Sequence, residues 1–372
     1  MKAALEKWLI PYISDSLARK NRCKAGDSPI HILFCLADHF EPGCGKADLD
    51  IQRRRVDYWV EHYPKIATEF RDSDGYMPQH TFFFSPHEDN EHLVRLVDLC
   101  KKGFGEIELH LHHDHIPPFP DNSETLEEKI LKSVEKYAKI GIFGKNKLSG
   151  NRSFGFIHGD WALDNSMGGR FCGVNNELEI LGKTGCYADF TFPSICESQP
   201  GKINSIYYAM DNPNKPKSYN TGIDVEAGKN CNGGLMIIEG PLGLRRKKTA
   251  PFFAIEAANI SKSDIPTEDR IDFWVKKSVA VKGRPDWVVV KVHAHGAVEK
   301  NFEVLLGKPA YRMHQHLQDK YNDNKNYKLH YVTARQLYNI IKAAEALLTG
   351  SPGDFRDFLI EPPICVRKER KA

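Results

Sequence analysis

The chain has 372 residues, 41% of them hydrophobic, and a net charge of only +3. That is ample apolar material for a large core, and the near-neutral balance excludes the basic footprint of a nucleic-acid binder. Nine scattered cysteines without a Cys-x-x-Cys pair exclude a disulfide frame or a zinc knuckle, and Cys35 and Cys100, inside apolar runs, read as reduced core thiols of a cytoplasmic protein.

Met1 to Lys20 carries charges throughout and lacks the apolar stretch of a signal peptide, and no run reaches the length of a membrane span. Leu5, Trp8, Leu9, Tyr12 and Ile13 make one apolar helix face, with a kink expected at Pro11, and that face is expected to pack on the body. Ile30 to Ala37 is a nearly continuous apolar strand, the pattern of a parallel sheet buried on both faces. It ends in Asp38-His39-Phe-Glu41-Pro42. Residues 51 to 71 read as a helix with Val56, Trp59, Val60, Tyr63 and Ile66 near one face. His80 to Ser85 is the next strand, and Glu91 to Lys102 an amphipathic helix with Leu93, Leu96, Val97 and Cys100 in register.

The stretch Glu106-Ile-Glu-Leu-His-Leu-His-His-Asp-His115 follows, with four histidines and three carboxylates in ten residues. As a strand, it points Ile107, Leu109 and Leu111 one way and His110 and His112 the other. Imidazoles converging at a strand end suit a divalent metal. Asp121 to Glu124 reads as a capping box opening a helix with Leu126, Ile130, Val134 and Tyr137. Phe154 to His158 is a strand ending in His158-Gly-Asp160-Trp161. A short helix spans Glu177 to Thr184, and Tyr187 to Pro193 is a strand with Asp189 at its polar end.

From about 200 to 260 the texture changes to Asn, Pro, Gly and Lys with short apolar runs, which predicts a β-rich insertion or lid over one end of the fold. Thr267 to Val279 resumes the helical rhythm. Trp287 to Val292 is a buried strand ending in His293-Ala-His295. Leu329 to Val332 is the last strand, followed by a capping box at Thr333 to Gln336 and a helix through Leu348. The basic runs Arg245–Lys248 and Arg367–Lys371 read as a solvated loop and a solvated tail. Strands ending in ionisable residues, separated mostly by helices, predict an α/β fold: one domain over 1–372, built as a distorted (β/α) barrel of about seven strands with its working face at the strand C-termini.

One divalent metal needs about three protein ligands and an open position, and the strand ends supply histidines and carboxylates for it. No Gly-x-Ser-x-Gly elbow, nucleophilic cysteine motif or phosphate-cradling glycine loop is present. In order and content these strand ends resemble the polysaccharide deacetylases, the NodB-type or carbohydrate esterase family four superfamily, over about residues 29 to 349 without the 200–260 region. The resemblance implies that Asp38 is the catalytic base and His39 a metal ligand, matching the family's Asp-Asp pair; in the other register Asp38 is the ligand and Ala37 replaces the base. It implies His110 as a ligand, with His112, Asp114 and His115 competing for the remaining places. Asp160 or His158 would orient the base, and His293 would be the general acid. Trp161, Asp189 and His295 are placed on the substrate side. The implied activity is removal of an N-acetyl group from an amino sugar in polysaccharide biosynthesis, with one divalent ion, zinc foremost, and an acetylated carbohydrate as partner. The alternatives are a glycoside hydrolase or other C–N hydrolase working through carboxylates such as Glu41, Asp160 and Asp189, and a non-catalytic carbohydrate-binding protein.

Overall fold

The structure is a computed structural model and describes residues 4–19, 29–231, 233–247 and 251–366. Helix α1 (Leu5–Arg19) leads into strand β1 (Ile30–Phe40). Helix and strand then alternate through α2 (Leu49–Ala67), β2 (His80–Phe84), α3 (Asn90–Lys101), β3 (Gly105–Leu111), α4 (Ser123–Lys139), β4 (Phe154–His158), α5 (Glu177–Lys183) and β5 (Cys186–Asp189). Short strands follow: β6 (Ile206–Ala209), β7 (Ile223–Asp224), β8 (Leu235–Ile238), β9 (Gly243–Arg246), β10 (Phe253–Glu256) and β11 (Asn259–Ile260). The alternation resumes with α6 (Glu268–Lys277), β12 (Trp287–Ala294), α7 (Phe302–Leu306), α8 (Lys308–Tyr321), β13 (Tyr327–Tyr331) and α9 (Ala334–Glu345).

This is an α/β protein with a large mixed, mostly parallel sheet in the order β11-β12-β1-β2-β3-β4-β5-β8-β6-β7. β1 forks: Ile30–Phe34 pairs with β13, and Leu36–Phe40 pairs with β2. The hydrogen-bonded order is a path with ends at β11 and β7. Its flanks are nevertheless joined across one face, where the Lys291 Nζ of β12 donates to Phe190 O at 2.5 Å and to Phe192 O, just beyond β5.

Pleat alternation divides the sheet into two faces. Ile32, Phe34, Leu36 and Phe40 of β1 join Phe82, Ile107, Leu109 and Phe156 under α2, α3 and α4, which contribute Trp59, Leu96 and Ile130. On the other, inner face, Leu33, Cys35 and Ala37 meet Phe83, Ile157 and Val289, and α9 packs there through Leu337, Ile340 and Ile341. The capping box expected at Thr333 is present, with Thr333 and Gln336 bonding reciprocally. It starts α9 so that the buried Arg335 meets Glu106 of β3 in a two-bond pair, Nη2–Oε1 2.7 Å and Nε–Oε2 2.9 Å.

Several expectations change. The 200–260 region is only partly an insertion, because β8 pairs in parallel with β5 inside the main sheet and β6 and β7 extend it. Its Leu-Met-Ile-Ile run is fully buried, as a strand paired on both edges should be, parallel to β5 and antiparallel to β6. β9 and β10 form the separate hairpin. The α4 cap is Asn122, paired with Thr125, rather than Asp121. Asp121 instead binds Lys129 at 2.8 Å. β5 stops at Asp189, whose side chain accepts the Thr191 N–H at 3.0 Å and turns the chain. The α1 face does pack on the body, with Trp8 buried against Ile203 and Leu242 and Leu5 and Tyr12 beside it, but Ile13 of that face points out. Arg245 is not solvated: it pairs with Glu256 and Asp269. Lys248 and the tail Arg367–Lys371 lie outside the described residues. The eight cysteines among the described residues are free. No helix among those residues is long and apolar enough to cross a membrane.

Arg335→Met leaves the Glu106 carboxylate buried without its partner. We expect a loss of about 3–5 kcal/mol of stability by urea denaturation, with much of it recovered in Glu106→Leu/Arg335→Met. Equal stability of the wild type and the single variant would show that the pair does not hold α9 to β3.

Candidate metal centre

His39, Glu41 and His110 bring one donor atom each to within 4.8 Å of one another. The sheet register explains the meeting. His39 follows Ala37 on the inner face of β1, and His110 follows Glu106 and Glu108 on the inner face of β3, as alternation from the sequence requires. Glu41 lies just past the end of β1. Its Oε1 stands 3.5 Å from His110 Nε2 and 2.9 Å from His112 Nε2.

The His110 ring is fixed from behind. Its Nδ1 lies 2.9 Å from Ile157 O. A carbonyl only accepts, so Nδ1 carries a proton and Nε2 is the ring atom turned toward Glu41. That Nε2 is buried and has no hydrogen-bond partner. Burial, then His295 and His110, pushes the His39 imidazole well below its ordinary range, so it is a neutral donor. Burial alone would raise the Glu41 carboxyl, but His110 and His112 outweigh it and hold the group well below the usual carboxylate range. Two imidazoles and one carboxylate fit a divalent first-row ion.

His112 is held differently. Its Nδ1 meets Asp160 Oδ2 at 3.1 Å, and its Nε2 meets Glu41. Burial opposes protonation, but the two carboxylates outweigh it and carry the ring up to about 10. The ring presses flat on the chain at Gly159, where an added Cβ would lie 2.4 Å from Nδ1. Asp160 and Trp161 both adopt left-handed backbone at φ +55°. For non-glycine residues that is a strained conformation, and it turns both side chains toward the strand ends. His115 stacks on His112 at 4.4 Å, about half exposed at the rim.

On the other side, His295 stacks on His39 at 4.6 Å, and Trp161 lies 6.1 Å from His295 and 6.5 Å from His293. His293 is buried, and its Nδ1 has no hydrogen-bond partner. Two neighbouring cavities share the wall formed by Cys44, Trp161 and His295. One, of about 440 Å³, is bordered by His39, Glu41, His112 and Asp160. The other, of about 870 Å³, reaches His293, Arg270 and Asn301.

The structure thus gathers His39, His110, His112, His115, Asp160, Trp161, His293 and His295 around one mouth. It does not bring Asp38 or Asp189 there. Asp38 shares the helix-covered face with Leu36 and Phe40, where its carboxylate takes His80 Nε2 at 2.8 Å and the Gly296 N–H at 2.5 Å. Gly296 has to be glycine, since a Cβ there would meet Asp38 Oδ2 at 2.0 Å. Asp189 is fully buried and spends its oxygens on Thr191. Neither borders either cavity. His158 also turns to the helix-covered face. Glu41, expected only as a carboxylate of the alternative hydrolase, belongs to the mouth beside the histidines, and Glu88, in the loop after β2, is a member outside the expected set. Burial raises the Glu88 carboxyl to about 7, and it faces the same cavity as the ligands. Both lie just beyond the ends of strands, which is the signal that finds them.

Comparison with protein-family models, with curated proteins and with solved structures finds no match to this chain.

Gly159→Ala pushes the His112 ring off Asp160, with an expected loss of about 1–3 kcal/mol. In metal-stripped protein the raised pKa of His112 contributes stability that is full below the unfolded value of 6.5 and is lost as pH rises toward 10. The variant should flatten that profile in urea denaturation and move the His112 titration, followed by NMR, down toward 6.5. A titration still near 10 would show that Gly159 does not set the ring.

Proposed function

We propose that this chain is a metal-dependent hydrolase resembling the polysaccharide deacetylases, removing an N-acetyl group from an amino sugar. The observation that carries the reading is the convergence of His39, Glu41 and His110 at the mouth of the strands, with His110 Nε2 buried, unpartnered and aimed at the common centre. These three would hold the ion. An ion there would polarise a carbonyl oxygen and lower the pKa of a coordinated water.

The surrounding residues have distinct tasks in this proposal. Asp160 orients His112 beside Glu41. Glu88, raised to about 7, is suited to accept a proton near neutral pH, in place of Asp38, which is engaged elsewhere. Glu88, having taken the proton of the attacking water, would return it to the departing nitrogen, because His293 is held neutral by burial and lines the chamber beyond Trp161. The Trp161 ring offers an apolar face to a sugar. The proposal includes a sheet rolled into a distorted barrel, supported by the Lys291 tie between its flanks and by the inner core closed by α9.

The test is zinc content after loading and acetate release from acetylated amino-sugar oligomers, in wild type and His110→Ala. The variant should hold one equivalent less zinc and lose at least about 100-fold in rate. Unchanged zinc content would refute the ligand set, and wild type that is zinc-loaded yet releases no acetate would refute the reaction.

A further inference from the structure

Behind the mouth, on the helix-covered face, lies a second group of donors: His113, His158, Cys172 and Glu177. All four are buried, and they bring one donor atom each to within 4.8 Å of one another. They come from four places: the loop after β3, the end of β4, the following loop and the first turn of α5. We propose that they form a closed, structural zinc site.

Glu177 stands at the centre of the group, and its Oε2 also accepts the Asp164 N–H at 2.6 Å. Glu177 Oε1 lies 3.0 Å from His113 Nε2 and 3.5 Å from His158 Nε2, and Glu177 Oε2 lies 3.3 Å from Cys172 Sγ. Adjacent donors around a tetrahedral ion at about 2.0–2.3 Å stand roughly 3.3–3.6 Å apart. The rings are turned by groups behind them. His158 Nδ1 meets Gly159 O at 2.5 Å, so it carries the proton and directs the lone pair of Nε2 inward. His113 Nδ1 faces Asp121 Oδ2 at 3.4 Å, and Asp121 is itself held by Lys129. A carboxylate or carbonyl behind each imidazole is the usual outer shell of a zinc histidine. A purely hydrogen-bonded cluster would be expected to satisfy these atoms, yet the fully buried His158 Nε2 has no hydrogen-bond partner.

The donor set selects the ion and the role. One thiolate, two imidazoles and one carboxylate favour zinc over calcium or magnesium. Four protein donors leave no open position, which marks a structural site rather than a hydrolytic one. A surface cavity of about 140 Å³ bordered by His113, Asp121 and Cys172 gives the ion a way in. The ion would tie the 159–176 segment to the sheet, and that segment carries Asp160 and Trp161.

Cobalt is the probe. Cobalt-loaded wild type should show the near-ultraviolet charge-transfer band of a thiolate ligand, Cys172→Ser should lose it, and Cys44→Ser and His110→Ala should keep it. Zinc content should fall by one equivalent in Cys172→Ser and by a different one in His110→Ala, so the two variants together lose two. Absence of the band in wild type, or its persistence in Cys172→Ser, overturns the proposal. Should Cys172→Ser not fold, Glu177→Gln addresses the same site: one zinc fewer is expected, and an unchanged content overturns it.

Discussion

Side chains two apart on a strand share a face, and parallel pairing carries that sharing from strand to strand. Everything at the mouth depends on this. Ala37 pairs with His293 and Leu109 with Phe156, so the inner face gathers His39, His110, His112 and His293 while the helix-covered face receives Asp38 and His158. Shifting any of these strands by one residue would exchange the two sets. The register is held by apolar layers on both sides and, deeper in, by Arg335 clasping Glu106.

Burial then decides what the gathered groups are. An imidazole in a dry interior is disfavoured as a cation, and His39, His293, His113 and His158 are all driven down by burial; His295 and Lys291 add to it at His39 and His293, whereas Asp121 and Glu177 oppose it at His113 and His158 without outweighing it. A crowd of histidines near the sheet is therefore a crowd of lone pairs rather than of positive charges. His112 is the exception, since two carboxylates flank it.

Much of this was legible in the sequence because it is local. The face division of Glu106 to Leu111, the α9 capping box and the strand ends at His39, His110 and His295 follow from spacing within a few residues. The failures are long-range. The family resemblance implied Asp38 as a base, but its partners are His80 and Gly296, distant in the chain. Asp189 does end its strand, but it was expected on the substrate side and instead closes its own turn on Thr191. Leu235–Ile238 reads as a stray apolar run until β5 is beside it. His113, His158, Cys172 and Glu177 follow no spacing rule, because α4, a strand and an irregular loop separate them.

Trp161 carries a further consequence. Its ring divides two cavities while its backbone sits at a positive φ that glycine would adopt freely. Substitution by glycine would relieve the main chain and at the same time merge two chambers into one. Backbone comfort and cavity shape thus pull in opposite directions at a single codon: the change that makes this bend more comfortable erases the partition between the two chambers.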